Sequence, residues 1–88
     1  MTNVTLAEAE RIQKQFMGEY CQTPPWNEYI NGVGISKIGI QDSNATENEK
    51  GGLCLYVMLR KPLPAGMNLP SKYQDIKVYS RVREMRAL

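Results

Sequence analysis

The most regular hydrophobic pattern in the chain lies between Gly51 and Pro62. Four aliphatic residues alternate there with four residues of other kinds, namely Leu53, Leu55, Val57 and Leu59 with Cys54, Tyr56, Met58 and Arg60. Because successive side chains of a strand point to opposite faces, this spacing predicts a central strand with one wholly aliphatic face. Pro62 has no N–H to give to a ladder and marks the end of the strand.

A second pattern, with helical spacing, lies near the N-terminus. Apolar residues recur at three- and four-residue steps at Leu6, Ala9, Ile12, Phe16 and Tyr20. Thr5 and Glu8 have the spacing of a capping box, and the Pro24-Pro25 pair must stop a helix. We therefore expect one amphipathic helix over about residues 5–20.

The remaining segments complete the predicted order of elements. Residues 29–40 combine β-branched residues with three glycines and predict a strand that contains a bulge or a close contact. Residues 41–50 are polar and predict an exposed hairpin loop, and the proline-rich residues 61–70 predict a semi-extended connection. We expect a short helical turn at Pro70 to Gln74 and a last strand from Asp75 to about Arg86.

Together these patterns predict one α+β domain over residues 1–88, in the order α-β-β-β. The N-terminal helix packs on a three-stranded antiparallel or mixed sheet, in which a hairpin joins the first two strands. The connection to the third strand is long enough for two arrangements: antiparallel pairing with its neighbour, or a crossover that pairs it in parallel with the first strand.

Composition removes several classes of function. The 88 residues contain no histidine, which is the commonest general base and metal ligand, and the acidic residues are not grouped as a catalytic pair. The two cysteines, Cys21 and Cys54, are too few for a disulfide scaffold, so we expect reduced thiols without a nucleophilic role. We accordingly expect a protein that is not an enzyme and has no catalytic residue, cofactor or metal.

Charge is distributed unevenly along the chain. Residues 1–59 carry four Lys and Arg against seven Asp and Glu, whereas residues 60–88 carry seven against two. On the last predicted strand, Lys77, Tyr79, Arg81 and Arg83 fall on one face. Basic residues around an aromatic ring can bind phosphates and stack a base, so these four form our candidate binding surface. A solvated outer face that discourages aggregation is the alternative explanation.

The order of short motifs resembles a small bacterial domain that occurs alone or on the N-terminal side of trypsin-like serine protease domains. The resemblance rests on Ile30-Asn-Gly-Val-Gly-Ile, on Leu55-Tyr-Val with Lys61-Pro and two Leu-Pro pairs, and on Ile76-Lys-Val-Tyr. This chain has Asp75 where that family usually has a glycine before its last strand. The resemblance transfers no catalytic residue, and it implies an accessory domain of a protease system as one alternative role.

The function that we predict is that of a non-enzymatic interaction module, which forms a homo-oligomer or binds another protein. Three strands leave two sheet edges, and one helix covers only one sheet face. The alternative is a nucleic-acid-binding protein that uses the basic last strand. The chain has neither an apolar run long enough for a membrane span nor the pattern of a secretory signal, so we expect a cytoplasmic protein without a membrane partner.

Overall fold

The structure, a computed structural model, describes residues 4–82. The helices are α1 (Leu6–Phe16), α2 (Ile38–Gln41) and α3 (Glu47–Lys50), and the strands are β1 (Ile30–Lys37), β2 (Leu53–Leu59), β3 (Lys72–Tyr73) and β4 (Ile76–Val82). The N-terminal helix and the mixed sheet confirm the predicted α+β class, with four strands instead of three. Among residues 4–82, no helix is both long enough and apolar enough to cross a membrane.

Helix α1 begins and ends as the sequence pattern predicts. The hydroxyl of Thr5 accepts a hydrogen bond from the N–H of Glu8 at 3.2 Å, which satisfies a free amide of the first turn. Ala9, Ile12 and Phe16 are buried, so the apolar stripe faces the sheet. A π-helical turn, Met17–Cys21, extends the helix, and the Phe16 ring stacks there on Tyr20 with 4.5 Å between ring centroids.

Strand β2 lies inside the sheet, whose strand order is β1-β2-β4-β3. It pairs antiparallel with β1 and parallel with β4. Leu55 and Val57 have no exposed surface, and their cross-strand neighbours include Val33 and Val78. These side chains form the core together with the buried residues of α1, which confirms the central strand and its aliphatic face.

The pairing of the last strand differs from both arrangements that the sequence left open. β4 is parallel to β2, its neighbour, and does not touch β1 in the sheet. A parallel neighbour requires the chain to cross one sheet face, and the connection between Leu59 and Ile76 is long enough to do so. Leu63 and Leu69 of this connection pack on the α1 side of the sheet.

Two of the predicted local conformations are wrong. The segment at Pro70 to Gln74 does not form a helical turn, because Lys72–Tyr73 is a strand that pairs antiparallel with the start of β4. A two-residue turn joins them, with φ of 46° at Gln74 and 66° at Asp75. Residues 41–50 are not a simple exposed loop, since they include the end of α2 and all of α3. β4 is described as far as Val82, and its predicted continuation to Arg86 lies outside the described residues.

Truncating the aliphatic face of β2 should destabilise the protein strongly. Leu55→Ala removes methyl and methylene groups from a fully buried site and should lower the free energy of unfolding by about 2–4 kcal/mol, and Val57→Ala by somewhat less. Urea unfolding measures both changes. Ile40→Ala is the control, because Ile40 is 73% exposed. A loss below about 0.5 kcal/mol for Leu55→Ala would contradict the central position of β2.

The turn before β4 should accept glycine with a gain in stability. Asp75 has a left-handed backbone conformation, which is strained for most residues and relaxed for glycine. Asp75→Gly should therefore raise the free energy of unfolding by about 0.5–1 kcal/mol. The matched control is Lys72→Gly on the strand before the turn, which should be destabilising. Loss of stability in Asp75→Gly would argue against this turn geometry.

Candidate functional site

The sheet has a second face, opposite α1. Helices α2 and α3 cover this face only at one end. We call it the open face, and its side chains come from three strands: Gly32, Gly34 and Ser36 of β1, Cys54, Tyr56 and Met58 of β2, and Lys77, Tyr79 and Arg81 of β4. Tyr56 lies directly beside Tyr79, and Met58 lies beside Arg81. The face is therefore aromatic and apolar along β2, bare along β1 and basic along β4.

The segment of residues 38–50 folds over one end of the open face. Ile38 is buried there, and its N–H donates to the carbonyl of Gly52 at 2.9 Å. A Cβ atom at Gly39 would lie 3.0 Å from the Cβ of Lys50, so a larger residue would push α2 and α3 slightly apart. This cover leaves Cys54 with no exposed surface.

The same segment places acidic side chains against the predicted basic surface. Glu49 forms an ion pair with Lys77, and the hydroxyl of Tyr79 donates to a carboxylate oxygen of Asp42 at 3.4 Å. Charge that is neutralised by a nearby carboxylate contributes little to attracting phosphates. Two of the four predicted site residues are thus engaged by the protein itself.

The structure brings together three of the four residues of the candidate surface. Lys77, Tyr79 and Arg81 share the open face, and of these only Arg81 is exposed, whereas Lys77 and Tyr79 are partly buried. Arg83 lies outside the described residues. The sequence analysis did not select Asp42 and Glu49, although the acidic loop and the basic strand were complementary in charge. That complementarity was the available signal.

Strand β1 forms the other candidate surface because its outer side is an edge of the sheet. Along an antiparallel strand, the peptide groups of successive residues point to opposite sides. The Ile38 N–H points to β2, so the peptide groups of Val33, Ile35 and Lys37 point away from β2, to the outer side. The side-chain amide of Gln13 donates to the Val33 carbonyl at 2.6 Å. At the opposite end of the sheet, β3 spans only two residues.

No contact within the monomer requires residue 34 of this edge strand to be a glycine. Its φ is in the ordinary range, and a Cβ atom built there would meet no atom within 4 Å. Glycine in a strand costs roughly 0.5–1 kcal/mol relative to alanine. A strand glycine of this kind is typical of a position that another backbone approaches closely.

The two thiols have no environment that would activate them. Burial raises the pKa of the Cys54 thiol to about 11, and partial burial also raises the pKa of the Cys21 thiol. A thiol with a raised pKa is protonated at neutral pH and is a poor nucleophile. Both cysteines are free, and no cluster of three metal-ligating side chains occurs within the described part of the chain.

Comparison with known proteins gave no match: no family model, no curated protein sequence and no solved structure matches the chain. The resemblance to the small domain that accompanies trypsin-like proteases therefore stays a prediction. The candidate surfaces are judged by their own geometry and charge.

The ion pair between Glu49 and Lys77 should make stability depend on pH. Chiefly through the hydrogen bond between them, the pKa of Glu49 is lowered and that of Lys77 is raised. The carboxylate contribution is complete above the ordinary pKa of 4.5 and is lost as pH falls through the lower folded value. The lysine contribution is complete below 10.5 and is lost as pH rises through the higher folded value.

Urea unfolding of the wild type and Glu49→Gln at several pH values measures this effect. The wild type should be the more stable protein at neutral pH, and the difference should close below pH 4.5. Glu47→Gln is the control, because Glu47 is 91% exposed and its pair with Lys50 joins neighbouring turns of α3. An equal pH response of both variants would contradict a specific role for Glu49.

Proposed function

We propose that this protein is a non-enzymatic interaction module that self-associates through β1, by antiparallel pairing of the edges of two copies. The single observation that carries the proposal is the row of outward-facing peptide groups at Val33, Ile35 and Lys37. Unpaired strand edges are templates for pairing with another chain. A two-fold axis would join the two sheets into one of eight strands, with both α1 helices on the same side.

Side-chain fit selects the register of this pairing. With Gly34 opposite Gly34 of the second copy, each Val33 lies beside an Ile35, and no side chains collide on the open face. Placing Ile35 opposite itself would put Lys37 beside Val33. Placing Val33 opposite itself would put Ile35 against the bulge that contains Asn31. The register about Gly34 joins apolar residues twice and opposes no like charges.

The ends of β1 favour a closed dimer over an open chain of copies. A bulge between Ile30 and Gly32 interrupts the ladder at one end, and the exposed Lys37 lies at the other. Both are features that limit pairing along a sheet edge. The opposite edge of the sheet offers only the two residues of β3, so the isologous contact has no competitor of similar length.

Gln13 acts as a competitor for the same edge. Its amide occupies the Val33 carbonyl, to which the Ile35 N–H of the second copy would donate. Dimerisation exchanges one hydrogen bond for another at this carbonyl, so the gain comes from the remaining peptide groups and the Val33–Ile35 contacts. The edge is thus protected in the isolated chain and becomes available when a complete strand replaces a single amide.

The other roles have weaker support. Nucleic-acid binding through β4 is weakened as a proposal because Lys77 is paired with Glu49 and its charge is not free to bind phosphate. An accessory role in a protease system rests on resemblance alone. The raised thiol pKa values support a non-enzymatic role, and two free cysteines suit the reducing cytoplasm in which we place the protein.

Charges at Gly34 test the proposal directly. Gly34→Lys should abolish the dimer at micromolar concentration, because two like charges would face each other across the axis. The monomer should keep its fold, since a side chain at this position meets open space. Gly34→Glu should behave in the same way, and a mixture of the two variants should form a heterodimer. Sedimentation velocity measures all three samples.

Gly51→Lys is the control: it adds the same charge outside β1, at a position where a Cβ also meets no atom within 4 Å, and should leave the dimer intact. A wild type that is monomeric up to millimolar concentration would overturn the proposal, as would a dimer that Gly34→Lys does not affect. Binding of a single-stranded oligonucleotide that weakens steeply with salt and is lost in Arg81→Glu would favour the nucleic-acid role instead.

A further inference from the structure

An open polar depression lies where β1 begins and β2 ends. It has a volume of about 750 Å³ and is lined by Asn27, Glu28, Asn31, Arg60 and Lys61. This volume is within the range of small-ligand sites, which is roughly 300–1,000 Å³. Each of the five lining residues carries a polar or charged group, so charge and hydrogen bonds would orient a ligand.

The two cations of this depression are held in place by the strand beside them. The N–H of Arg60 donates to the Tyr29 carbonyl at 2.8 Å, and its guanidinium donates to the Ile30 carbonyl at 3.4 Å. The ammonium of Lys61 lies 4.7 Å from the centroid of the Tyr29 ring. Because a guanidinium has five N–H donors, most of the donors of Arg60 stay available for a ligand.

Two amide side chains complete the set of donors. Asn31 lies at the register shift between Ile30 and Gly32, and a bulge of this kind turns a side chain away from the regular ladder. Asn27 lies in the 3₁₀ turn Trp26–Glu28. The N–H of Tyr29 donates to the Trp26 carbonyl at 3.0 Å and closes this turn. Both amides line the same depression as the cations.

Neither cation of the depression takes part in an ion pair within residues 4–82. The ion pairs there are Lys50 with Glu47 and Lys77 with Glu49, and neither includes Arg60 or Lys61. The only carboxylate in the lining is that of Glu28. Two cations and one carboxylate leave a net charge of one positive unit facing solvent.

We propose that this depression binds a carboxylate group. A monoanion balances the one net positive unit, whereas a dianion would leave a negative unit unbalanced beside the Glu28 carboxylate. A planar pair of carboxylate oxygens matches the guanidinium fork of Arg60, and the Asn27 and Asn31 amides supply further donors. The carboxylate would come from a free small acid or from a peptide. This site goes beyond self-association and does not depend on it.

Titration of the full chain with sodium acetate, at constant ionic strength, tests the site. Two-dimensional ¹⁵N NMR follows the side-chain amides of Asn27 and Asn31. We expect saturable shifts with a Kd of about 1–10 mM, since the site is exposed and screened. Arg60→Gln and Lys61→Gln should each weaken binding by about tenfold, and Lys72→Gln, on β3 at the opposite edge of the sheet, should not change it. Glu28→Gln should tighten binding and shift preference towards phosphate.

Capped tripeptides distinguish the sources of the carboxylate. A tripeptide with a central Asp and blocked termini represents an acidic side chain, the same peptide with Asn is its control, and an Asn peptide with a free C-terminus represents a chain end. Tighter binding of either carboxylate peptide than of acetate identifies a peptide ligand, and equal binding identifies a free acid. Absence of saturation at about 100 mM acetate, tighter binding of inorganic phosphate, or unchanged affinity in both Arg60→Gln and Lys61→Gln would overturn the proposal.

Discussion

The rest of the structure depends on the double pairing of β2. One strand supplies ladders to β1 and β4 and an aliphatic face to α1, and Leu55 and Val57 consequently lose all contact with solvent. β3 pairs with β4, so β1 is left at an edge of the sheet, and the parallel pairing of β4 with β2 requires the connection between them to cross a sheet face. The position of every candidate surface follows from this arrangement.

The open face, on the side of the sheet away from α1, has a closed end that is covered and an open end that is not. Residues 38–50 cover the part of β2 that contains Cys54, and Glu49 and Asp42 engage Lys77 and Tyr79 at that end. The closed end therefore uses opposite charges for internal contacts. Charge that the sequence places on one strand is available for a partner only where no other segment of the chain reaches it.

Both surfaces that we propose for binding lie along β1, and they differ in chemistry. The edge offers peptide groups between Val33 and Lys37, which pair through backbone hydrogen bonds, whereas the depression at Arg60 offers cations and amides. The bulge beside Gly32 separates the two surfaces, because it ends the regular ladder and turns Asn31 towards the depression. A single edge strand thus carries two surfaces of different chemistry, which adjoin at Asn31. Gly34 gives up stability on this strand, which agrees with a strand whose outer side is kept for a partner.

Local patterns in the sequence determined the helix, the central strand and the face that each buries. The spacing of Leu53 to Leu59 and of Ala9, Ile12 and Phe16 is sufficient, since periodicity and burial are linked by the geometry of a single element. The order of the strands, the parallel β4 and the short β3 were decided by tertiary structure. Non-local pairing depends on which apolar faces meet, and two residues such as Lys72 and Tyr73 are too few to show a period.

The candidate site divides in the same way: the shared face of Lys77, Tyr79 and Arg81 followed from alternation along one strand. The contacts of Lys77 with Glu49 and of Tyr79 with Asp42 arose only when segments distant in sequence came together, as did the free edge of β1 and the convergence of Arg60 with Asn31. Charge pairing and edge exposure are properties of neighbours in space.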